Sequence, residues 1–411
     1  MWRISSAERA RTVTMPDGRQ LAIRQLTYGT QHRFLYGNVW ARLAAPMLPD
    51  SWKAKAGLQT FFHGTTTPAL VIWGDWRLPR NAPGPAQMAL ISEAGSDRPA
   101  SESGVWMGVP ASNHLIMAWV FQNFPRRARS LRVQMCDWDS KSQLKPAATF
   151  TLASPVRHTF TTWKAERYPL LRPVKGLQFC MLNFSPGGFL RDPWPLLFTG
   201  SSIVSGHVAV FQVKQDRRAL DNWHVEAMTV TDATGNVVKG KLQPFVSVGG
   251  YIVFGLNDTL WLTEKSWQFR TQFARDGGFA SNELCTIRGL PAITSGSVTQ
   301  LVTNIEVNGV SIGGVEMQAK GRGPSPYRLH EDLEVQPILT QTAGERLVTL
   351  VGATDNQGRQ LQHDRSYYNL DGHHFGIEPL PDSKSLDLTF AVQAPVTVEF
   401  VGGMTRIVLS H

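Results

Sequence analysis

Cysteine is scarce in this 411-residue chain. Cys136, Cys180 and Cys285 are the full set, too few for a disulfide framework and without the CxxC or Cys/His grouping that zinc requires. Cys180 and Cys285 fall in strand-like segments, where the expectation is buried free thiols rather than a bridge across a sandwich. Charge is also sparse, at 18% of residues against 42% apolar, which excludes a disordered chain and is enough to build cores. No run of about 18 apolar residues occurs, so no transmembrane helix is expected. The opening MWRISSAERARTV has no apolar h-region, so no secretory signal is expected there. Walker, GxGxxG and HExxH patterns are missing, which leaves nucleotide binding and zinc hydrolase chemistry without support and implies no cofactor.

The charge that is present is unevenly placed. The chain carries a net +9, and residues 1–165 hold 20 Lys and Arg against 9 Asp and Glu, leaving the remainder slightly acidic. Nine of the 13 tryptophans lie in the same first part. A basic, aromatic-rich unit of this kind suits an anionic membrane surface, a glycan or a protein partner. No motif for specific nucleic-acid recognition accompanies it.

Internal repetition organises the rest. VTDATGNVV at Val230–Val238 returns as ATDNQGRQL at Ala353–Leu361, Phe254-Gly255 as Phe375-Gly376, and Lys265-Ser266 as Lys384-Ser385. The strand after each Lys-Ser alternates in one register: Trp267, Phe269 and Phe273 face one way in the first copy, and Leu386, Leu388, Phe390 and Val392 do so in the second. A third copy ends VFQNFPRRARSLRVQM, with Leu131, Val133 and Met135 on one face and SEAGSD at Ser92–Asp97 as its turn. Copies spaced by roughly 120 to 135 residues have the size of immunoglobulin-like domains. The expected fold is all-β: three consecutive antiparallel β-sandwich domains over 1–160, 168–294 and 298–411. Helix is confined to an insertion at about 39–57 in the first, where Pro46 and Pro49 prevent one continuous helix and Asp50 and Gly57 bound a short second one.

Candidate chemistry is thin. The two TD-x-x-G loops put alanine or arginine where a calcium loop needs oxygen ligands, so they read as Asx-type turns with Gly235 and Gly358 at positive φ. Asp137 and Asp139 in CDWDSKS are a better cation lure, opposed by Lys141. Gly309–Gly313 matches GxSxG, yet Asn308-Gly309 marks a hairpin rather than the strand-to-helix elbow of a hydrolase. His363, His373 and His374 with Asp364 and Asp371 lack a ligand spacing, and His32 and His63 show no partner in sequence, so no metal site is expected. The ligand-binding candidates are Trp73, Trp76, Arg77 and Arg80 in WGDWRLPR, with Arg126, Arg127 and Arg129 in FPRRAR. Trp73 and Trp76 lie three apart on an extended chain and point to opposite faces, so one is expected outside the core. Catalytic residues cannot be named.

TVTMPDGRQLAIRQLTYGTQHRF, FPRRARSL and PLPDSKSLDLTFAV resemble segments of uncharacterised multidomain bacterial proteins that begin with an N-terminal membrane anchor. The resemblance implies an extracytoplasmic, cell-envelope location and carries no activity; a cytoplasmic location is the alternative. The expectation is a non-enzymatic binding or scaffold protein that uses its basic first domain for contact. The rival is a hydrolase or carbohydrate-active enzyme whose carboxylates meet at an inter-domain cleft.

Overall fold

Alternation of apolar and polar residues, frequent Val, Thr, Phe and Trp, and turns built on Gly, Asn and Asp drive most of the described residues into antiparallel strands. The computed structural model describes residues 11–37, 42, 44–55, 58–79, 87–91, 104–108, 114–138, 144–156, 159–185, 207–241, 249–256, 260–261, 264–293, 295–319, 333–342, 344–364 and 374–403. The Ser92–Asp97 turn, Arg80, Asp139, Lys141, Asp371 and His373 lie outside the described residues.

The first sandwich comprises β1 (Arg11–Thr14), β2 (Gln20–Tyr36), β3 (Gln59–Arg77), β4 (Gln87–Ile91), β5 (Gly104–Gly108), β6 (His114–Phe121), β7 (Ser130–Trp138) and β8 (Leu144–Ala153). One sheet runs β1-β2-β3-β6-β5 and the facing one β4-β7-β8. Their apposed faces bury Leu21, Ile72, Trp76, Met117 and Phe121 against Leu90, Leu131, Val133 and Phe150. The helical insertion joins β2 to β3 as a 3-10 turn, Ala45–Met47, and a helix α1, Asp50–Lys55. Pro49 separates the two, as expected of a residue that lacks a backbone donor.

The second sandwich contains β9 (Leu170–Val174), β10 (Leu177–Ser185), β11 (His207–Gln215), β12 (Arg218–Leu220), β13 (Trp223–Asp232), β14 (Val237–Lys241), β15 (Tyr251–Leu256) and β16 (Trp267–Arg275). Beyond them come β17 (Leu284–Pro291), β18 (Ser297–Val307), β19 (Val310–Ala319), β20 (Leu333–Thr342), β21 (Leu347–Asp355), β22 (Gln362–Asp364), β23 (Phe375–Glu378), β24 (Ser385–Gln393) and β25 (Val396–Gly402). The repeat seen in sequence is a repeat of topology. The larger sheets contain the paths β1-β2-β3-β6, β9-β10-β11-β15 and β18-β19-β20-β23, and the smaller contain β4-β7-β8, β13-β16-β25 and β21-β24-β17. Strands β7, β16 and β24 are thus equivalent, and each has a core of its own.

The last strand of each small sheet corrects the expected boundaries. In the first sandwich β8, which follows β7, pairs with β7. In the other two the corresponding strands are exchanged: β17, which follows β16, pairs with β24, while β25, which follows β24, pairs with β16. Leu284–Pro291 therefore joins the third sandwich although sequence position assigns it to the second, and Val396–Gly402 joins the second although it ends the third. The connection from β24 to β25 is only Ala394-Pro395. Favoured two-residue hairpin turns need positive φ at one or both positions, which proline forbids and alanine resists. β25 therefore runs to the neighbouring sheet, where Val398 and Phe400 enter the second core. At the crossover the buried Gln393 amide accepts from the Arg275 N–H (2.9 Å) and donates to the Arg275 carbonyl (2.9 Å).

Three further readings are resolved. Cys136, Cys180 and Cys285 are buried free thiols, and burial raises the pKa of each. Asn308 and Gly309 both take positive φ in the turn between β18 and β19, so Ser311 sits within a strand rather than on a nucleophile elbow. No helix among the described residues is long and apolar enough to cross a membrane.

Because Phe400 belongs to a core built mostly by residues more than a hundred positions away, Phe400→Ala is expected to destabilise the second sandwich by about 3–5 kcal/mol. Urea unfolding followed by tryptophan fluorescence measures it, since Trp223 and Trp267 lie in the same core.

Candidate functional site

The sequence candidates separate once the fold is known. Trp73 and Trp76 are each 0% exposed, so neither offers a ring face to a ligand. They do point to opposite faces of β3. Trp76 enters the inter-sheet core beside Trp119, whereas Trp73 stacks on Phe34 with ring centroids 5.3 Å apart. The expected exposed tryptophan is covered because the β2–β3 hairpin folds back over its own sheet. Pairing passes from Gly29↔Ala69 to Gln31↔Gly64, leaving residues 65–68 as a large bulge, and Gly29 takes φ +142° at the corner. Beyond that corner, Phe34, Tyr36 and Phe61 lie against Val71, Trp73, Ile116 and Ala118. This folded half of the hairpin is called the arm. Arg77 and Arg129 are exposed.

Arg126 and Arg127 hold the first sandwich to the second. The Arg126 side chain is buried, donating to the carbonyls of Thr234 (2.8 Å), Pro68 (2.8 Å) and Gln122 (3.2 Å). Its guanidinium lies over Tyr28 and Phe124. Burial lowers its pKa. Arg127 donates to Glu264 (2.9 Å) and to the carbonyls of Phe160 and Thr161. Desolvation raises the Glu264 pKa while Arg127 opposes that rise. Trp261 of the second sandwich completes the first core.

The first repeated turn is the other half of this joint. The Asp232 carboxylate accepts from Thr234 N–H (2.8 Å), Thr234 Oγ1 (2.7 Å), Asn236 N–H (3.0 Å) and Asn236 Nδ2 (2.7 Å). So ordered, Asn236 donates to the Phe124 carbonyl (2.9 Å) and accepts from its N–H (3.3 Å), and Asn123 accepts from Val237 N–H. The second turn uses the same carboxylate: Asp355 accepts from Gln357 and Arg359 N–H, but Arg359 replaces Asn236 and reaches Asp382 of its own sandwich. Both loops are Asx turns, and only the first docks a neighbour.

Several other titratable groups are engaged locally. Asp137 pairs with buried Arg19. His374 meets Glu334 at 3.0 Å and His363 meets the Leu361 carbonyl. His224 places one nitrogen on Glu226 (3.1 Å) and the other on Asp276 (3.0 Å). Among the described residues no group of three or more His, Cys, Asp or Glu is arranged for a metal.

Two features escaped sequence reading. His32 and His63 oppose each other across β2 and β3, with ring centroids 6.3 Å apart. Buried His32 shares a 2.9 Å hydrogen bond between Nδ1 and Thr27 Oγ1. An open groove of about 520 Å³ lies where the inter-sandwich connection crosses β16 and β25, lined by Thr162, Trp163, Lys164, Glu166, Gln268 and Val401. Glu166 lines it with Arg172 as its salt-bridge partner. Compared with known proteins, the chain matches no family model, no curated protein and no solved structure.

Replacing Asn236 by Leu is expected to cost about 1–3 kcal/mol for each buried backbone group left unpaired, read by urea unfolding, with faster tryptic cleavage in residues 154–168. A second expectation concerns pH. Burial, then the neighbouring His63, hold the His32 pKa below its ordinary 6.5. An opened arm takes up the proton first, so its closure is fully stable above about pH 6.5 and weakens as pH falls. Hydrogen exchange at residues 31–34 and 59–64, corrected for intrinsic rates, is expected to accelerate on acidification, and His32→Asn to reduce that dependence.

Proposed function

We propose that this is a non-enzymatic binding or scaffold protein of the cell envelope, built from three immunoglobulin-like modules, whose first module meets an anionic lipid surface. One observation carries the reading. Of the four most exposed large apolar side chains among the described residues, three belong to the arm and to the insertion that joins its two strands: Met47 (88%), Trp52 (61%) and Phe62 (66%). Phe62 lies beneath the exposed guanidinium of Arg33, 5.6 Å from its ring centroid, and exposed Lys55 closes α1.

Tryptophan at headgroup depth, apolar side chains just below it and cations toward anionic headgroups form a peripheral membrane contact. The charge excess of residues 1–165 attracts the same surface at longer range. The contact in this reading is made by Trp52, Phe62, Arg33 and Lys55, while Trp73 and Trp76 pack inside and Arg126 and Arg127 serve the joint between sandwiches. In this reading the second and third modules, joined by their exchanged strands, act as a rigid spacer.

Flotation of the full chain with phospholipid vesicles tests the proposal. Binding is expected to vesicles containing anionic phospholipid and to fall with salt as screening shortens the reach of charge. Trp52→Ala is expected to weaken it about tenfold, which corresponds to about 1.4 kcal/mol of buried apolar contact. Lys55→Glu is expected to weaken it mainly at low salt. Equal binding by Trp52→Ala and the parent chain would remove the arm from the reading.

A further inference from the structure

We propose that the groove where the connecting segment crosses β16 and β25 of the second sandwich is a binding site for a neutral oligosaccharide. Its volume of about 520 Å³ is within the roughly 300–1,000 Å³ of small-molecule clefts. The lining has the mixture that a sugar needs. Trp163 supplies an aromatic surface for the C–H face of a pyranose, while Thr162, Glu166 and Gln268 supply a hydroxyl, a carboxylate and an amide for its hydroxyl groups.

These groups are held before any ligand arrives. The Trp163 carbonyl accepts from Ser266 Oγ at 2.8 Å. The Glu166 N–H donates to the Val401 carbonyl at 2.9 Å, where the connection makes a parallel bridge to β25. Arg172 binds the Glu166 carboxylate and also donates to the Glu399 carbonyl at 2.9 Å. Gln268 projects from the outward face of β16, with its Nε2 donating to Glu399 at 3.1 Å. Preorganised polar groups lose less entropy when a ligand binds.

Charge selects the ligand class. The lining itself holds one cation, Lys164, and one carboxylate, Glu166. This balance gives no net attraction for a polyanion, which separates the groove from the cationic arm and argues for an uncharged, hydroxyl-rich chain. The open side of the groove suits an internal segment of a polysaccharide as well as an end. The ligand is bound without any chemical step.

Isothermal titration of the full chain with cellotetraose, chitotetraose, maltotetraose and an acidic oligogalacturonate tests this site. At least one neutral tetrasaccharide is expected to bind more tightly than the acidic one. Trp163→Ala is expected to weaken that binding about tenfold or more, and Gln268→Ala several-fold. Because Trp163 is partly buried, Gln268→Ala on the outward face serves as the second variant, with unfolding midpoints of both compared with the parent. Absence of binding to every neutral sugar, preference for the acidic one, or undiminished binding by both variants would overturn the proposal. Trp163→Ala is expected to leave vesicle flotation unchanged, so the arm and the groove fail or succeed independently.

Discussion

The geometry of Ala394-Pro395 governs the relation between the second and third sandwiches. A strand that ends in a two-residue link without access to positive φ cannot return beside its predecessor, so β25 pairs with β16 instead of β24. The position it leaves on β24 is filled by β17. Each of these two cores is thereby completed by a strand next to which the other core's chain segment runs. Domain swapping ordinarily exchanges an element between separate chains; here the same exchange occurs within one chain, and the buried Gln393 amide holds the crossing against Arg275.

The first sandwich is joined by different means. Its own β8 pairs with β7, so no strand is shared, and the joint relies on polar side chains that meet backbone. Arg126 draws together the carbonyls of Pro68 at the arm's bulge, Gln122 before β7, and Thr234 in the second sandwich. A single guanidinium thus fixes both the root of the arm and the docked turn. Such a group is well suited to this place because its planar fork carries five donors and its cation lies over Tyr28 and Phe124.

The buried and exposed tryptophans show what composition leaves undecided. A count of aromatic and basic residues points to the first sandwich without telling which of those side chains are exposed. Trp73 is on the face expected to be open, and is closed by Phe34 from a strand forty residues earlier. Arg126 and Arg127 form the densest basic cluster in the sequence, yet they are taken up by carbonyls of the first sandwich, the connection and the second sandwich and by the Glu264 carboxylate. Groups that contact each other at separations of more than a hundred residues leave no periodic trace. The groove has the same origin, since Trp163 and Gln268 meet only because the connection crosses the outer face of β16.

Period-two alternation and turn chemistry suffice for the all-β class, the repeated strand and the reading of VTDATGNVV and ATDNQGRQL as Asx turns. These depend on neighbours within a few residues, where sterics and local hydrogen bonds act directly. Tertiary structure alone decided that the first turn docks and the second does not, although both place Asp in the same role. Asn236 can satisfy a backbone N–H and carbonyl of Phe124 together, whereas Arg359 has only donors and spends them on Asp355 and Asp382. It decided the strand exchange as well, because the alternation of β17 and β25 is equally compatible with either sheet, and pairing depends on where the connecting links allow each strand to reach.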